Sequence, residues 1–404
     1  MNILLLTQWF DPEPCLKGLA FARALQRQGH EVSVLTGFPN YPSGKIYPGY
    51  RQRWRTQELI EGISVTRVPL YPSHDRSAAR RMLNYVSFAL SSLVGIVLLP
   101  RPDVVYVYAP PPSAALGAVA LKLLRKVPFL IDVQDLWPDA LGATGMVRSN
   151  ALLGIIRWWV ALVHRHAARI IVLSNGFRRT LIERGEAPDR VIVIRNWTHE
   201  DSPAAGAPAA TAPADRFDIV FAGNMGPAQD LGVVLDAAAL LKEEAPQVRF
   251  ILVGDGVEAA ELADAARARA LDNVTFPGRL PTDAMPGVFA AADALLVHLR
   301  NEPVFAITIP SKTQAYLQAG KPILMGVPGD AAELVTEAGA GLAFEPGNPA
   351  ALAAAVRRLM AMPAEERLAM GRAGARFYRD HLSLEVGTRA FVQFFEQAVT
   401  DARH

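Results

Sequence analysis

Short apolar runs alternate with longer helical patterns from one end of this 404-residue chain to the other, and that alternation admits few folds. Runs of Val, Ile and Leu bounded by turn residues suit strands buried on both faces. Such strands belong to parallel sheets, whose crossovers are helices. The first half predicts strands at Ile3–Leu6, Val32–Thr36, Ser64–Val68, Val104–Tyr108, Phe129–Val133, Ile170–Leu173 and Val191–Ile194. The second half predicts them at Asp218–Phe221, Arg249–Val253, Val274–Phe276, Ala294–His298 and Ile323–Met325, and closes on helices at Ala351–Met360, Glu365–Asp380 and Leu384–Ala402. Between the halves, Thr198–Asp215 (THEDSPAAGAPAATAPAD) has no periodicity and reads as a linker. A chain this long exceeds the size at which one core keeps growing. The expectation is α/β: two doubly wound domains facing each other across a cleft, residues 1–200 and 216–383 around a linker at 201–215, with the strand C-termini lining the cleft.

Charge divides the chain in the same place. Residues 1–200 carry 24 Lys/Arg against 14 Asp/Glu, so the overall +2 hides a basic first half and an acidic second one. Arginines cluster at Arg51, Arg53, Arg55 and at Arg76, Arg80, Arg81, which points the first half toward a polyanionic surface, although solvated faces explain most such clusters. Met82–Pro100 (MLNYVSFALSSLVGIVLLP) is nearly uncharged and about as long as the ~20 residues a membrane span needs. Asn84, Ser87, Ser91 and Ser92 interrupt it, and it lies between two strands that require a crossover. A half-buried helix dipping into a membrane interface fits better than a span. The single cysteine, Cys15, cannot form an internal disulfide, no Cys/His grouping has zinc spacing, and Met1–Thr7 reads as a strand and not a signal peptide. A cytoplasmic protein is expected.

Residues Ile307–Leu324 (ITIPSKTQAYLQAGKPIL) place Lys312 at the start of a short helix opened by Pro310 and Ser311 and stopped by Gly320 and Pro322. Open N–H groups, the helix dipole and the ammonium make a phosphate or diphosphate site; a capped surface helix with a solvated lysine is the alternative. Two glycine turns come directly after strands, Gly223-Asn224-Met225-Gly226 and Gly254-Asp255-Gly256. Their spacing fits neither a P-loop nor a dinucleotide fingerprint.

Taken together, FAGNMGPAQDL, LVGDG, FPGRLP and IPSKTQAYLQAGKPIL after a linker resemble the nucleotide-sugar half of retaining GT-B glycosyltransferases of family GT4. In the first half Trp9-Phe10-Asp11-Pro12, Lys17-Gly18, GHEVSVLTGFPNYPSG, RPDVVYVYAPP, DVQDLWPDALGATG and VIRNW are similar to bacterial members that build O-antigen, capsule or exopolysaccharide, in the fucosamine and colanic-acid transferase subgroup. The resemblance spans essentially the whole chain. It implies a GT-B fold of two Rossmann-like domains, the first on the acceptor side with the helix at about 384–404 packed back on it, the second binding the nucleotide sugar. It also implies residue roles. Gly223, Asn224 and Gly226 would line the donor diphosphate and sugar, Lys312 with Ser311 would neutralise the leaving phosphate, and Asp255 and Arg279 would sit near the base. Asp135, alternatively a helix cap or loop carboxylate, would face the reacting centre; Lys17 and Gly18 would form a loop facing donor phosphates and acceptor. No metal or other cofactor is expected.

The chain departs from the family at one place. Most members carry two glutamates eight residues apart, and the corresponding positions here are Ile307 and Ala315. Ribose recognition would then fall to Gln314, Gln318 or Glu333. The implied function is sugar transfer with retention from a UDP-linked N-acetylamino or deoxyamino sugar to a lipid-linked glycan, at the inner face of the cytoplasmic membrane and with no nucleic-acid partner. An isomerase resembling UDP-N-acetylglucosamine 2-epimerases and a non-catalytic sugar-binding protein are the rival readings.

Overall fold

The computed structural model describes residues 1–74, 77–139, 141, 149–200 and 216–403, so Arg76 and the linker at 201–215 lie outside the described residues. The chain divides into two compact units. Unit 1 comprises Met1–Leu173, Phe177–Arg195 and the chain from Gly387 onward; unit 2 comprises Ser174–Gly176 and Asn196–Val386.

Unit 1 is built on β1 (Asn2–Thr7), β2 (Glu31–Gly37), β3 (Thr56–Ile60), β4 (Ile63–Val68), β5 (Val104–Tyr108), β6 (Phe129–Val133), β7 (Arg169–Val172) and β8 (Val191–Val193), in the order β3-β4-β2-β1-β5-β6-β7-β8. Every pairing is parallel except β3 with β4. The antiparallel β3 escapes the sequence pattern because its residues, TQELI, alternate between exposed and half-buried along a sheet edge. The chain winds outward from β1 on one side and then from β5 on the other. The C-terminal ends of β1 and β5 therefore flank the point where strand order reverses, where such sheets form a crevice.

Among the helices of unit 1 are α1 (Leu19–Arg27), α2 (Ala78–Val97), α3 (Leu116–Arg125) and α4 (Asn150–His166). In α2 the polar residues that interrupt the apolar run are its inward face. Asn84 is buried and donates to Tyr71 O at 2.7 Å, Ser92 Oγ donates to Ala89 O at 2.8 Å, and Gly95 fits where a Cβ would meet Val68 Cγ1 at 2.8 Å. The outward face carries Leu83, Val86, Leu90, Val94 and Val97, a stripe at helical spacing that is exposed. Among the described residues no helix is long and apolar enough to cross a membrane.

Unit 2 repeats the winding with β9 (Phe217–Asn224), β10 (Val248–Asp255), β11 (Val274–Gly278), β12 (Ala294–His298), β13 (Ile323–Gly326) and β14 (Gly341–Ala343), all parallel, in the order β11-β10-β9-β12-β13-β14. Both faces of β9 are buried: Ile219 and Phe221 join one apolar cluster and Val220 the other. Burying side chains of that size contributes about 1.5–3 kcal/mol each. The strand β14, only three residues long, is too short to show in the sequence. The helix expected over Glu365–Asp380 ends at Phe377 and passes into a π-turn over Tyr378–Leu382.

Candidate donor site

In unit 2 the first strand, β9, again lies at the reversal of strand order, and its C-terminal end carries Gly223 and Asn224. Beside it begins α5, Ser311–Ala319, whose start at Pro310 is held by no side-chain cap and whose end, Gly320, takes the left-handed conformation that stops a helix. Ser311 is exposed at the first turn, and Lys312 comes next.

The Nζ atom of Lys312 is buried, has no hydrogen-bond partner among the described residues, and stands 3.5 Å from the centroid of the Phe221 ring. Burial drives its pKa down from the ordinary lysine range to about 7. The aromatic face gives the ammonium a favourable contact in place of a hydrogen bond. A Cβ on residue 223, where φ is 140°, would lie 3.1 Å from Nζ, so glycine there both relaxes the backbone and clears the approach to the ammonium.

In front of Gly223 opens a cavity of about 400 Å³, lined also by Asn224, Asp255, Arg279, Met285 and Phe289. Donor-binding candidates from three separate loops are thus gathered at one hollow. Asp255 turns its carboxylate back on its own loop, accepting from Gly256 N at 2.7 Å, while Arg279 is exposed at the rim. Gly226 and Asn224 share one partner: Gln229 Oε1 accepts from Gly226 N and from Asn224 Nδ2, both at 3.1 Å.

Three residues that the motifs did not single out hold this arrangement. Tyr316, four residues after Lys312 and so on the same face of α5, is fully buried and accepts from Ala222 N at 2.8 Å, which pins the helix to the end of β9. His298, at the end of β12, faces Gln229 O through Nδ1 at 2.8 Å and accepts from Gly347 N through Nε2 at 3.2 Å. That pair of contacts puts the ring proton on Nδ1, and burial lowers the pKa and keeps the ring neutral. The third, Gln229, passes the restraint to the glycine turn. Helical phase was the available signal for Tyr316; for His298 the sequence offered only its place at a strand end.

Gln314 is not available for a ribose. It is buried, and its amide, oriented to donate, meets the carbonyls of Ser311 and Pro310 at 3.0 Å each. Gln318 is half-buried on the same helix, and Glu333 is exposed on the helix at Asp330–Glu337.

Unit 1 treats its candidates differently. Lys17 and Gly18, expected in a loop facing donor phosphates and acceptor, are both buried. Lys17 Nζ pairs with Asp132, which also accepts from the Tyr106 hydroxyl, and it stands 4.9 Å from the centroid of the Phe391 ring. Gly18 starts α1, but Leu19 N already donates to Asp11 Oδ2 at 2.7 Å, and a Cβ on Gly18 would collide with that carboxylate. A helix start occupied by a carboxylate repels a second anion. Asp135 is accessible just beyond the C-terminal end of β6, and the atoms crowded around it raise its pKa above the ordinary carboxylate range. Nearby on the same side, Trp9 and Tyr41 form a ring pair at 4.9 Å, and Tyr41 meets His74 edge-on at 4.8 Å.

Two α/β units built on parallel sheets are the architecture of GT-B glycosyltransferases. Residues 19–197 match the family described as glycosyl transferase 4-like domain and residues 207–377 that of glycosyl transferases group 1; the chain belongs to the GT4 family of glycosyltransferases. It is 29% identical over 366 residues to the colanic acid biosynthesis glycosyl transferase WcaI of Escherichia coli (strain K12), covering 85% of this chain and 88% of that one. It is 27% identical over 266 residues to the glycosyltransferase WbjE of Pseudomonas aeruginosa, covering 63% and 65%. Its fold is similar to that of Anabaena Alr3699/HepE, crystallised in complex with UDP, at a TM-score of 0.66 and 17% identity over 98% of this chain and 100% of that one.

Proposed function

We propose that this glycosyltransferase moves a sugar, with retention, from a UDP-linked N-acetylamino or deoxyamino sugar to a lipid-linked glycan in O-antigen, capsule or exopolysaccharide synthesis. The observation that carries the reading is Lys312: a buried ammonium with no hydrogen-bond partner among the described residues, next to an uncapped helix start and a glycine turn. Cleaving the donor leaves a nucleoside diphosphate and an oxocarbenium-like sugar, so the principal electrostatic task is to stabilise the phosphate oxygens as they gain charge. Lys312 and the open N–H groups of α5 are suited to it, and their effect is magnified by exclusion of water. The acceptor hydroxyl attacks on the face the diphosphate leaves and passes its proton to that phosphate. Asp135, with its raised pKa, orients the acceptor or polarises the sugar and forms no bond to it. The scheme needs no metal.

UDP is favoured because HepE is crystallised with it, and surface polysaccharide because of the role named for WcaI. A lipid acceptor, and attachment to the inner face of the membrane, are favoured by the outward apolar stripe of α2 with Arg80 and Arg81 at its start.

The test is to incubate the protein with UDP-glucose, UDP-N-acetylglucosamine and UDP-N-acetylgalactosamine, each labelled in the sugar, and a bacterial membrane lipid extract. Label moving into the organic phase with release of UDP, and lost in Lys312→Ala, is the expected result. Interconverted sugar nucleotides with no UDP released would indicate an isomerase. Label confined to water-soluble products would remove the lipid acceptor.

A further inference from the structure

An apolar groove of about 320 Å³ runs over unit 1 between α2, the start of α3 and α4. Its walls include Tyr85 and Ala89 on α2, Leu116 on α3, Ile155 and Trp159 on α4, and Trp137 from the loop after β6. Pockets of this size accept a small ligand, and this one offers almost nothing but hydrocarbon and aromatic surface. Trp159 is anchored by its Nε1, which donates to Pro112 O at 3.2 Å. Ile155, on the same wall, is 61% exposed.

Two observations say what such a groove is for. The first is continuity: Trp137 and Pro112 line both the groove and the adjoining hollow that contains Asp135, and the Trp137 ring meets that of Tyr85 edge-on at 6.1 Å. The second is charge. Arg81 lies one helical turn before Tyr85, and its Nε is buried without a hydrogen-bond partner among the described residues. Tyr85 feels the Arg81 guanidinium and the Asp135 carboxyl at once, as the opposed influences of the two on its hydroxyl show. Burial, and after it the nearby Arg81 guanidinium, lowers the pKa of His74. Hydrocarbon surface, a guanidinium with an open N–H, and a carboxyl are therefore gathered around Tyr85 and Trp137.

We propose that the groove seats the first part of the hydrocarbon chain of a lipid diphosphate acceptor, with Arg81 on the diphosphate and the sugar hydroxyl beyond it at Asp135. This rests on the lipid-linked acceptor proposed above and adds a subsite to it. The chain is bound by the protein and is not simply left in the bilayer, so its contribution persists when no membrane is present.

The probe is farnesyl diphosphate, with methyl diphosphate as its tail-less counterpart, titrated by calorimetry into protein saturated with UDP so that the phosphate site of unit 2 is occupied. Farnesyl diphosphate should bind at least about tenfold more tightly, since several methylenes leave water. Ile155→Glu, at an exposed position, and Ala89→Phe, which fills the groove, should abolish that advantage; thermal melting shows whether each variant is folded, and Ile155→Glu alone suffices if Ala89→Phe is not. Arg81→Ala should weaken both diphosphates by about tenfold, the loss of a hydrogen bond to a charged group. Equal binding of the two diphosphates, or an advantage that survives in folded Ile155→Glu, overturns the proposal. The labelling assay separates the two readings. Label that reaches the lipid phase as fast with Ile155→Glu as with the native protein, at limiting lipid, removes the groove and leaves the lipid acceptor standing. Label that stays in water removes both.

Discussion

Each unit has a buried lysine near the C-terminal end of its first strand, and each lysine lies against a phenylalanine ring: Lys17 against Phe391 and Lys312 against Phe221. They differ in what balances the charge. Lys17 has Asp132, a fully buried carboxylate that Tyr106 and Gln134 also hold. Lys312 has, among the described residues, the ring and no hydrogen-bond partner, and burial has lowered its pKa accordingly. Folding gives the first lysine a carboxylate and gives the second, among the described residues, no hydrogen-bond partner, and the proposed donor role rests on that difference.

The comparison makes its sharpest claim about activity. Lys312→Ala should lower kcat/KM by about 10² to 10³, the usual consequence of removing a group that meets transition-state charge, while leaving the melting temperature unchanged or higher. A variant that stayed active would show that the two lysines are alike after all. Next in size is Lys17→Met, which strands Asp132 in the core and should destabilise unit 1 by about 3–5 kcal/mol in urea unfolding. Adding Asp132→Leu should restore most of that loss, because the pair as a whole gains little over apolar packing. If Lys17→Met instead left stability intact and weakened UDP binding, Lys17 would serve the donor phosphates, as the sequence resemblance implied.

The pH dependence comes third. Lys312 is half neutral near pH 7 in the free protein, and a bound diphosphate favours its charged form. UDP should therefore bind with proton uptake, and its affinity should fall by about tenfold per pH unit above 7, in calorimetry at several pH values. Lys312→Met should flatten that profile. The sign for stability is opposite: the unfolded chain holds the Lys312 proton up to the ordinary lysine pKa and the folded one does not, so this residue makes the free protein more stable as pH rises from about 7. The smallest effect belongs to Tyr316→Phe, which unpairs Ala222 N and should destabilise unit 2 by about 1 kcal/mol, with a modest loss of kcat/KM as Lys312 shifts.

Much of the fold was legible because both units are parallel sheets, whose strands are buried on two faces and so read as unbroken apolar runs. The strands that were missed lack that property: Thr56–Ile60 lies at an edge and alternates, and Gly341–Ala343 spans only three residues. The residues that the family resemblance marks, Gly223, Asn224, Asp255 and Arg279, do line one cavity, since parallel strands present successive loops on the same side of the sheet. The burial of Lys17 was not legible. A lysine before a helix looks the same in sequence whether it faces solvent or a carboxylate that arrives 115 residues later. Gln314 failed for a related reason, because a side chain at a helix start can serve the backbone there as readily as a ligand.

The Phe391 ring that covers Lys17 comes from the helix Leu384–Asp401, at the far end of the chain, and packs edge-on with Phe21 and Tyr106 at 5.2 Å in both cases. Unit 2 is thus nested within unit 1 like a clause in parentheses, with the closing bracket made of aromatic side chains. Cutting the chain in the linker would not release two autonomous halves. The first would be left with an unroofed ion pair, and the second would carry off the piece that belongs over it. A separately produced residues 1–200 should bind a synthetic peptide of residues 384–404 for that reason alone.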